Sequence, residues 1–241
     1  LRFLRFSMQY RDFDKDDQTF KIIQKNLSGI AKLSKERIFD ELNKIIRLDN
    51  FVDIFLNKEI FQVFKIIFPE FRYLDRIKGM NHEIYKKFVK SESNLLLALL
   101  LVDNTDNHIY FAHKYKISNF IKDNLIFFNT YFSEIKKNKN FFEKDLKKNI
   151  FYNGKMKIAS LAKFYFVSNS KKNYGNLVNT LKKIHSTNIP KFPITGQYLL
   201  NKGFKSGRKI GEILLKAEKQ WIDNNFDLKD EELKNLIKKY S

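Results

Sequence analysis

Leu1-Arg2-Phe3-Leu4-Arg5-Phe6-Ser7-Met8 opens the chain, and its spacing predicts a helix entered part-way. Leu1, Leu4 and Met8 recur at i, i+3 and i+7 and share one face. Phe3, Phe6, Tyr10 and Phe13 form a second apolar line, which carries the expected helix from Leu1 to Phe13. Arg2, Arg5 and Gln9 fall on a third face. Two guanidiniums are therefore expected to project the same way, backed on both sides by packed side chains. A guanidinium is a planar five-donor fork that suits a base edge or a phosphate. The same face also fits the solvated side of an ordinary amphipathic helix.

Helical periodicity continues beyond this stretch, and the fold is expected to be all-α, an elongated series of helices. Gly (8) and Pro (3) are scarce while hydrophobic residues reach 43%, which favours helices joined by short connections over a turn-rich sheet protein. The 25 Phe and 11 Tyr supply a substantial core. Asp16 reads as an N-cap for a helix over Thr19 to Asn26, so Asp14-x-Asp16 reads as a helix start and not as a metal pair. Ser34 reads as the next N-cap, for a helix to about Arg47 with Leu33, Ile38, Leu42, Ile45 and Ile46 inward. Glu36 or Glu41 on that helix is placed to pair with Arg2 or Arg5; ordinary surface pairs at i, i+4 fit equally well. Asn50 to Phe68 reads as one helix closed by Pro69.

Further on, Asn94 to Val102 is apolar all round and is expected to be a buried helix. Asp103-Asn104-Thr105-Asp106-Asn107 lacks the central Gly and terminal Glu of a calcium loop and reads as a polar turn. Ser118 reads as the cap of a helix over Asn119 to Phe132. His82, His108, His113 and His185 show no metal-ligand spacing and read as structural or surface residues. From Glu134 onward lysines alternate with aromatics, a pattern that fits a core stripe with a basic face able to track phosphates. Thr195 reads as a cap for Gly196 to Lys202, Gly203 as its stop, and Ser206 or Gly207 as the start of a last long helix to about Asn224. Gly203, Gly207 and Gly211 would permit a tight turn and close approach. With Lys202, Lys205, Arg208 and Lys209 beside free amides at that helix start, the stretch reads as an anion contact, against the alternative of a plain tight turn.

The formal charge of +19 and pI near 9.8 point to a polyanionic partner, nucleic acid before anionic membrane. A coding bias toward Lys, Asn, Ile and Phe would produce the same balance with no such partner. Zero Cys excludes disulfides and cysteine metal sites and fits a reducing compartment, so the expected location is cytoplasmic. Leu95 to Val102 is too short to span a bilayer, and no membrane partner is expected.

Arg2-x-x-Arg5-Phe6, followed by Ser34-Lys35-Glu36-Arg37-Ile38-x-x-Glu41-Leu42, resembles the neck of the bacterial-type (class II) CCA-adding tRNA nucleotidyltransferases and poly(A) polymerases. Phe192-Pro193-Ile194-Thr195-Gly196-x-x-Leu199-Leu200, and Gly203 to Gly211 running on to Glu218-x-x-Trp221-Ile222, resemble the tail of the same family. The resemblance weakens between about Lys78 and Lys191, and Tyr198 stands where many relatives carry an acid. It implies a neck over 1–78, a helical body over 79–191 and a tRNA-binding tail over 192–241. The family's Glu-Asp would lie just before Leu1, and the start at Leu agrees that the chain begins inside the motif, with the catalytic head outside it.

That resemblance assigns Arg2 to the incoming base, with an upstream Asp as its partner, and Arg5 to the site's support or the triphosphate. Glu36, Arg37 and Glu41 belong to the supporting neck helix, and Lys202, Lys205, Arg208 and Lys209 to tRNA. The implied substrates are CTP, ATP and tRNA, with Mg²⁺ held by head carboxylates. No catalytic residue and no metal ligand is expected in this chain, which alone should bind tRNA and transfer nothing. A poly(A) polymerase portion and a non-catalytic helical RNA-binding module are the competing expectations. An Arg2 remote from any concave surface would defeat the base-reading role.

Overall fold

Leu4 and Met8 decide where the first helix goes. Both are fully buried where α1 (Arg2–Tyr10) packs on α3 (Lys35–Ile46), whose Ile38, Leu42 and Ile45 are buried as well, in a computed structural model of the chain. The structure describes residues 1–10, 17–55, 57–78, 80, 82–169 and 174–238. Those residues are helical or in connecting turns, with no strand among them, as the composition implies. None of their helices is long and apolar enough to cross a membrane.

They form two units, one of residues 1–139 and 156–182, the other of 140–155 and 183–241. In the first unit α2 (Asp17–Lys25) and a 3-10 segment, Leu27–Lys32, precede α3. Ser34 caps α3 as its sequence position predicts, its hydroxyl accepting from the Arg37 amide at 3.4 Å. Leu33, expected inward, is exposed. It lies before the cap in extended backbone and so escapes the helix's buried face. Asp16 as an N-cap and Phe13 in the first helix lie outside the described residues.

Asn50 to Phe68 is not one helix. A 3-10 segment, Phe51–Phe55, comes first, and α4 (Lys58–Ile67) restarts at Asn57. The Asn57 side chain accepts from the amides of Glu59 and Ile60 at 3.0 and 2.9 Å. This competing local bond resets the backbone where the apolar spacing continued unbroken. The helix does end before Pro69, as expected.

Beyond α4 come α5 (Asp75–Lys78), α6 (His82–Ile84) and a π-helical turn, Tyr85–Val89. Next is α7 (Ser93–Leu101), apolar on all sides and buried from Leu95 to Leu101. It packs against α3, α5, α8 (Asn107–Tyr115) and α9 (Asn119–Lys137) and forms the axis of this unit. Its last carbonyls are met by Arg76, which donates to Leu99 O at 3.1 Å and Val102 O at 2.7 Å and lies 3.7 Å over the Tyr73 ring. Burial pulls that guanidinium down to about 10, leaving it charged at neutral pH. Phe64, Phe68, Phe71, Phe111 and Tyr115 make one aromatic cluster, with centroids 4.6 to 5.8 Å apart along it. Buried Glu70 beside it pairs with Lys114, and Asn107 donates to Glu70 O and Leu101 O at 3.0 Å. Asp103 to Asn107 is a polar turn, Asp103 accepting from the Thr105 amide at 2.9 Å. Ser118 caps α9 as predicted.

In the second unit α10 (Leu146–Asn153) is followed by Gly154, and α11 (Lys155–Ser168) belongs to the first unit from Met156 onward. α12 (Tyr174–Ser186) contributes its residues from Lys183 to the second unit. α13 (Gly196–Asn201), α14 (Arg208–Asp223) and α15 (Asp230–Lys238) complete it. Trp221 is its core, with Phe151, Phe192 and Phe226 around the indole at 4.8 to 5.9 Å. Leu199, Ile210 and Ile213 hold α13 to α14. Lys148 pairs with Asp223 at 2.8 Å, and Lys183 with Glu143.

Candidate nucleic-acid interface

Because Leu4 and Met8 fix α1 on α3, the third face of α1 is carried to the carboxylate of Glu41. Arg5 Nε donates to Glu41 Oε2 at 3.1 Å, and Lys44 Nζ to Oε1 at 2.9 Å. Arg2 Nε stands 3.8 Å from Oε1. The side chains are 18% exposed for Arg5, 12% for Glu41 and 72% for Arg2. Burial opposes ionisation of Glu41, but the bonds from Lys44 and Arg5 outweigh it and hold the carboxyl below the ordinary glutamate value. One anion thus anchors one arginine and leaves the other at the surface.

Arg2 does not face open water alone. It lines a concavity of about 440 Å³ with Leu33, Arg37, Asp40, Glu41 and Lys44. Arg37 is on the wall of that concavity, and its amide completes the Ser34 cap. Glu36 is elsewhere: it pairs with Lys116 at 2.9 Å, which holds its carboxyl below the ordinary range. Asp40 and Lys44 at the concavity were not singled out in the sequence. The i, i+3 spacing of Lys44 from Glu41 was the available signal, whereas the turn that brings Lys116 to Glu36 has none.

The flanking aromatics differ from expectation. Phe3, Phe6 and Tyr10 are exposed, so packed side chains back the arginines on one side only. The face that α1 turns to α3 and to the Phe51–Phe55 segment carries Leu4, Ser7 and Met8, which leaves the second apolar line at the surface. Arg5 lies over the Phe6 ring at 4.3 Å, and Phe6 stacks on Tyr10 at 6.2 Å between centroids.

In the second unit Lys202, Lys205, Arg208 and Lys209 line a concavity of about 480 Å³ built wholly from residues 202–209. Thr195 caps α13, its hydroxyl accepting from the Tyr198 amide at 3.2 Å. Gly203 (φ +92°) ends α13 and Gly207 (φ +139°) starts α14, both in left-handed backbone that glycine tolerates. Gly211 plays no such part: it lies inside α14 with open space around its Cα. Gly207 brings no side-chain cap to the start of α14, where the Ile210 amide donates to the Gly207 carbonyl at 3.1 Å. Arg208 pairs with Glu212 at 3.0 Å while staying exposed, and Lys202 lies 5.7 Å from the Tyr198 ring centroid.

Residues 12–74 match a sequence family described as the probable RNA and SrmB-binding site of polymerase A. Over 99% of its length the chain is 27% identical to the mouse protein named CCA tRNA nucleotidyltransferase 1, mitochondrial, and covers 55% of it. The human protein of the same name is 34% identical over 59 residues, covering 24% of this chain and 14% of the human protein. The chain therefore spans about half the length of the mouse relative. With the motifs of its opening and closing stretches, these matches make the chain similar to the CCA-adding nucleotidyltransferases and poly(A) polymerases.

Proposed function

We propose that this chain supplies base selection and tRNA contact to a nucleotidyltransferase that adds CCA to tRNA 3′ ends from CTP and ATP. The carrying observation is the shared carboxylate of Glu41, which fixes Arg5 and leaves Arg2 at the rim of a concavity. Cytosine presents an acceptor at N3 beside an amino donor, and adenine an acceptor at N1 beside an amino donor. Arg2 donating to that ring nitrogen, with a carboxylate accepting from the amino group, reads both bases. Uracil and guanine present the reverse order and leave polar groups unpaired, which is costly in a dry site. Arg5 and Glu41 keep Arg2 in register, and Arg37 and Lys44 add positive charge for the triphosphate.

The basic turn at Lys202, Lys205, Arg208 and Lys209 takes tRNA phosphates in the same reading. In this reading Mg²⁺ belongs to the carboxylates of a head; among the described residues there is no group of three or more His, Asp or Glu side chains placed to hold a metal ion. The role proposed for these residues is to choose the base and hold tRNA. The description of the matched family also supports a poly(A) polymerase.

The test is nucleotide incorporation into tRNA lacking its CCA end, by a protein carrying this chain behind a nucleotidyltransferase head. Addition that stops after CCA supports the tRNA reading, and a long adenylate run supports the polymerase. Incorporation by the 241-residue chain alone would defeat the assignment of its role as base selection and tRNA contact.

A further inference from the structure

A second concavity of the first unit, about 490 Å³, is separate in its lining from the one at Arg2. Its wall carries Arg47, Lys157, Phe120, Phe127 and Met156. Arg47 and Lys157 pair with no carboxylate among the described residues; Lys157 Nζ instead lies 5.5 Å from the Phe127 centroid. The acid on the wall, Glu92, is already engaged by Lys163 and Ser160, so the two cations are not neutralised locally. Phe120 is 70% exposed and Met156 77%. Phe120 makes no ring contact among the described residues. Leaving a ring and a thioether in water at the mouth of a cavity gains nothing for folding.

Unpaired cations beside an accessible ring and a polarisable sulfur are the two halves of a nucleotide contact: charge for phosphate, flat apolar surface for the base. First-turn residues of α7, α9 and α11 also contribute to the wall, adding partial positive charge. We infer that this cavity binds a nucleotide, its base against Phe120 and Met156 and its phosphate at Arg47 and Lys157. The inference does not rest on the function proposed above, since it uses none of the residues of the Arg2 concavity or of the basic turn.

A nucleotide reaches such a cavity either free or as one unit of single-stranded RNA, and the test separates the two. The probes are 2-aminopurine riboside 5′-monophosphate and a pentaribonucleotide with 2-aminopurine at its centre, whose fluorescence falls on stacking. Titrations are run at about 0.3 M salt, where unspecific attraction between RNA and a basic protein is largely screened. Quenching by the protein is expected. Phe120→Ala should weaken it roughly tenfold or more, and Phe120→Tyr should retain it. Arg47→Gln with Lys157→Gln should weaken pentanucleotide binding and flatten its salt dependence by about one phosphate contact or more. Thermal midpoints of the Phe120 variants should match the parent, because the ring is exposed. Quenching of both probes assigns a free-nucleotide site, and quenching of the pentanucleotide alone assigns an RNA subsite. No quenching of either probe, or quenching unchanged in Phe120→Ala, overturns the inference.

Discussion

Arg5 and Glu41, 36 residues apart in the chain, meet at 3.1 Å with both side chains largely withdrawn from water. This contact converts an arginine pair on a short helix into a fixed element of a site. Leu4 and Met8 seat α1 by apolar packing, and Asn50 donates to the Met8 carbonyl; the Arg5–Glu41 contact adds a charged tie to α3 itself.

Replacing Glu41 by Gln should therefore cost about 2 kcal/mol, since a largely buried guanidinium loses its charged acceptor. Urea denaturation of the chain reads this as a lower midpoint at unchanged slope. The difference from the parent should depend on pH in a fixed sense. The Glu41 carboxyl is held below its ordinary value by Lys44 and Arg5 against the opposing effect of burial. A carboxyl depressed on folding stabilises fully above its unfolded value of about 4.3, and that stability is lost as pH falls through the lower folded value. The two midpoints should converge on acidification from about pH 5.

Arg76 supplies a separate stability test. It donates to two carbonyls at the end of α7, and its guanidinium lies against Tyr73. Arg76→Met keeps the apolar stem and removes the donors. The expected cost is about 2 to 3 kcal/mol, read as loss of amide protection in α7 by hydrogen exchange.

The glycines near the basic turn should respond in opposite directions. At Gly203, φ of +92° strains any side chain, so Gly203→Ala should destabilise by about 1 kcal/mol. Gly211→Ala lies in α14 with nothing within 4 Å of the new Cβ and should stabilise by up to about 1 kcal/mol. Chemical denaturation of both variants compares them directly. Equal signs would exclude left-handed backbone at residue 203.

The two arms of the proposed function should separate in a protein that includes the catalytic head. Arg2→Ala should relax the preference for CTP and ATP over UTP and GTP while leaving tRNA affinity within about twofold, as the residue is exposed and its packing role small. Lys205→Ala with Arg208→Ala should lower tRNA affinity and flatten its salt dependence by about one unit per lost phosphate contact, with base choice unchanged. Competition incorporation assays and salt titrations give the two readouts. Equal loss of both functions in both variants would defeat the division.

Local chemistry was legible in the sequence wherever the deciding atoms are neighbours in the chain. Ser34, Ser118 and Thr195 cap the helices that follow them because each hydroxyl needs only an amide three residues on. The stop at Pro69, the buried run of α7 and the glycine turn at 203–207 follow from the same short-range sterics and apolar content. Helical class and the family motifs are likewise properties of the string of residues. Tertiary structure decided the rest. Asn57 broke an apolar pattern that ran on without a break. α3 and the Phe51–Phe55 segment cover only the face of α1 that carries Leu4, Ser7 and Met8, so Phe3, Phe6 and Tyr10 stayed outside. Glu41 took both arginines while Glu36 went to Lys116, a choice between two acids five residues apart that depends on which turn of α3 meets α1. Periodicity assigns a residue to a face, but only the packing of that face against another helix gives its charge a partner.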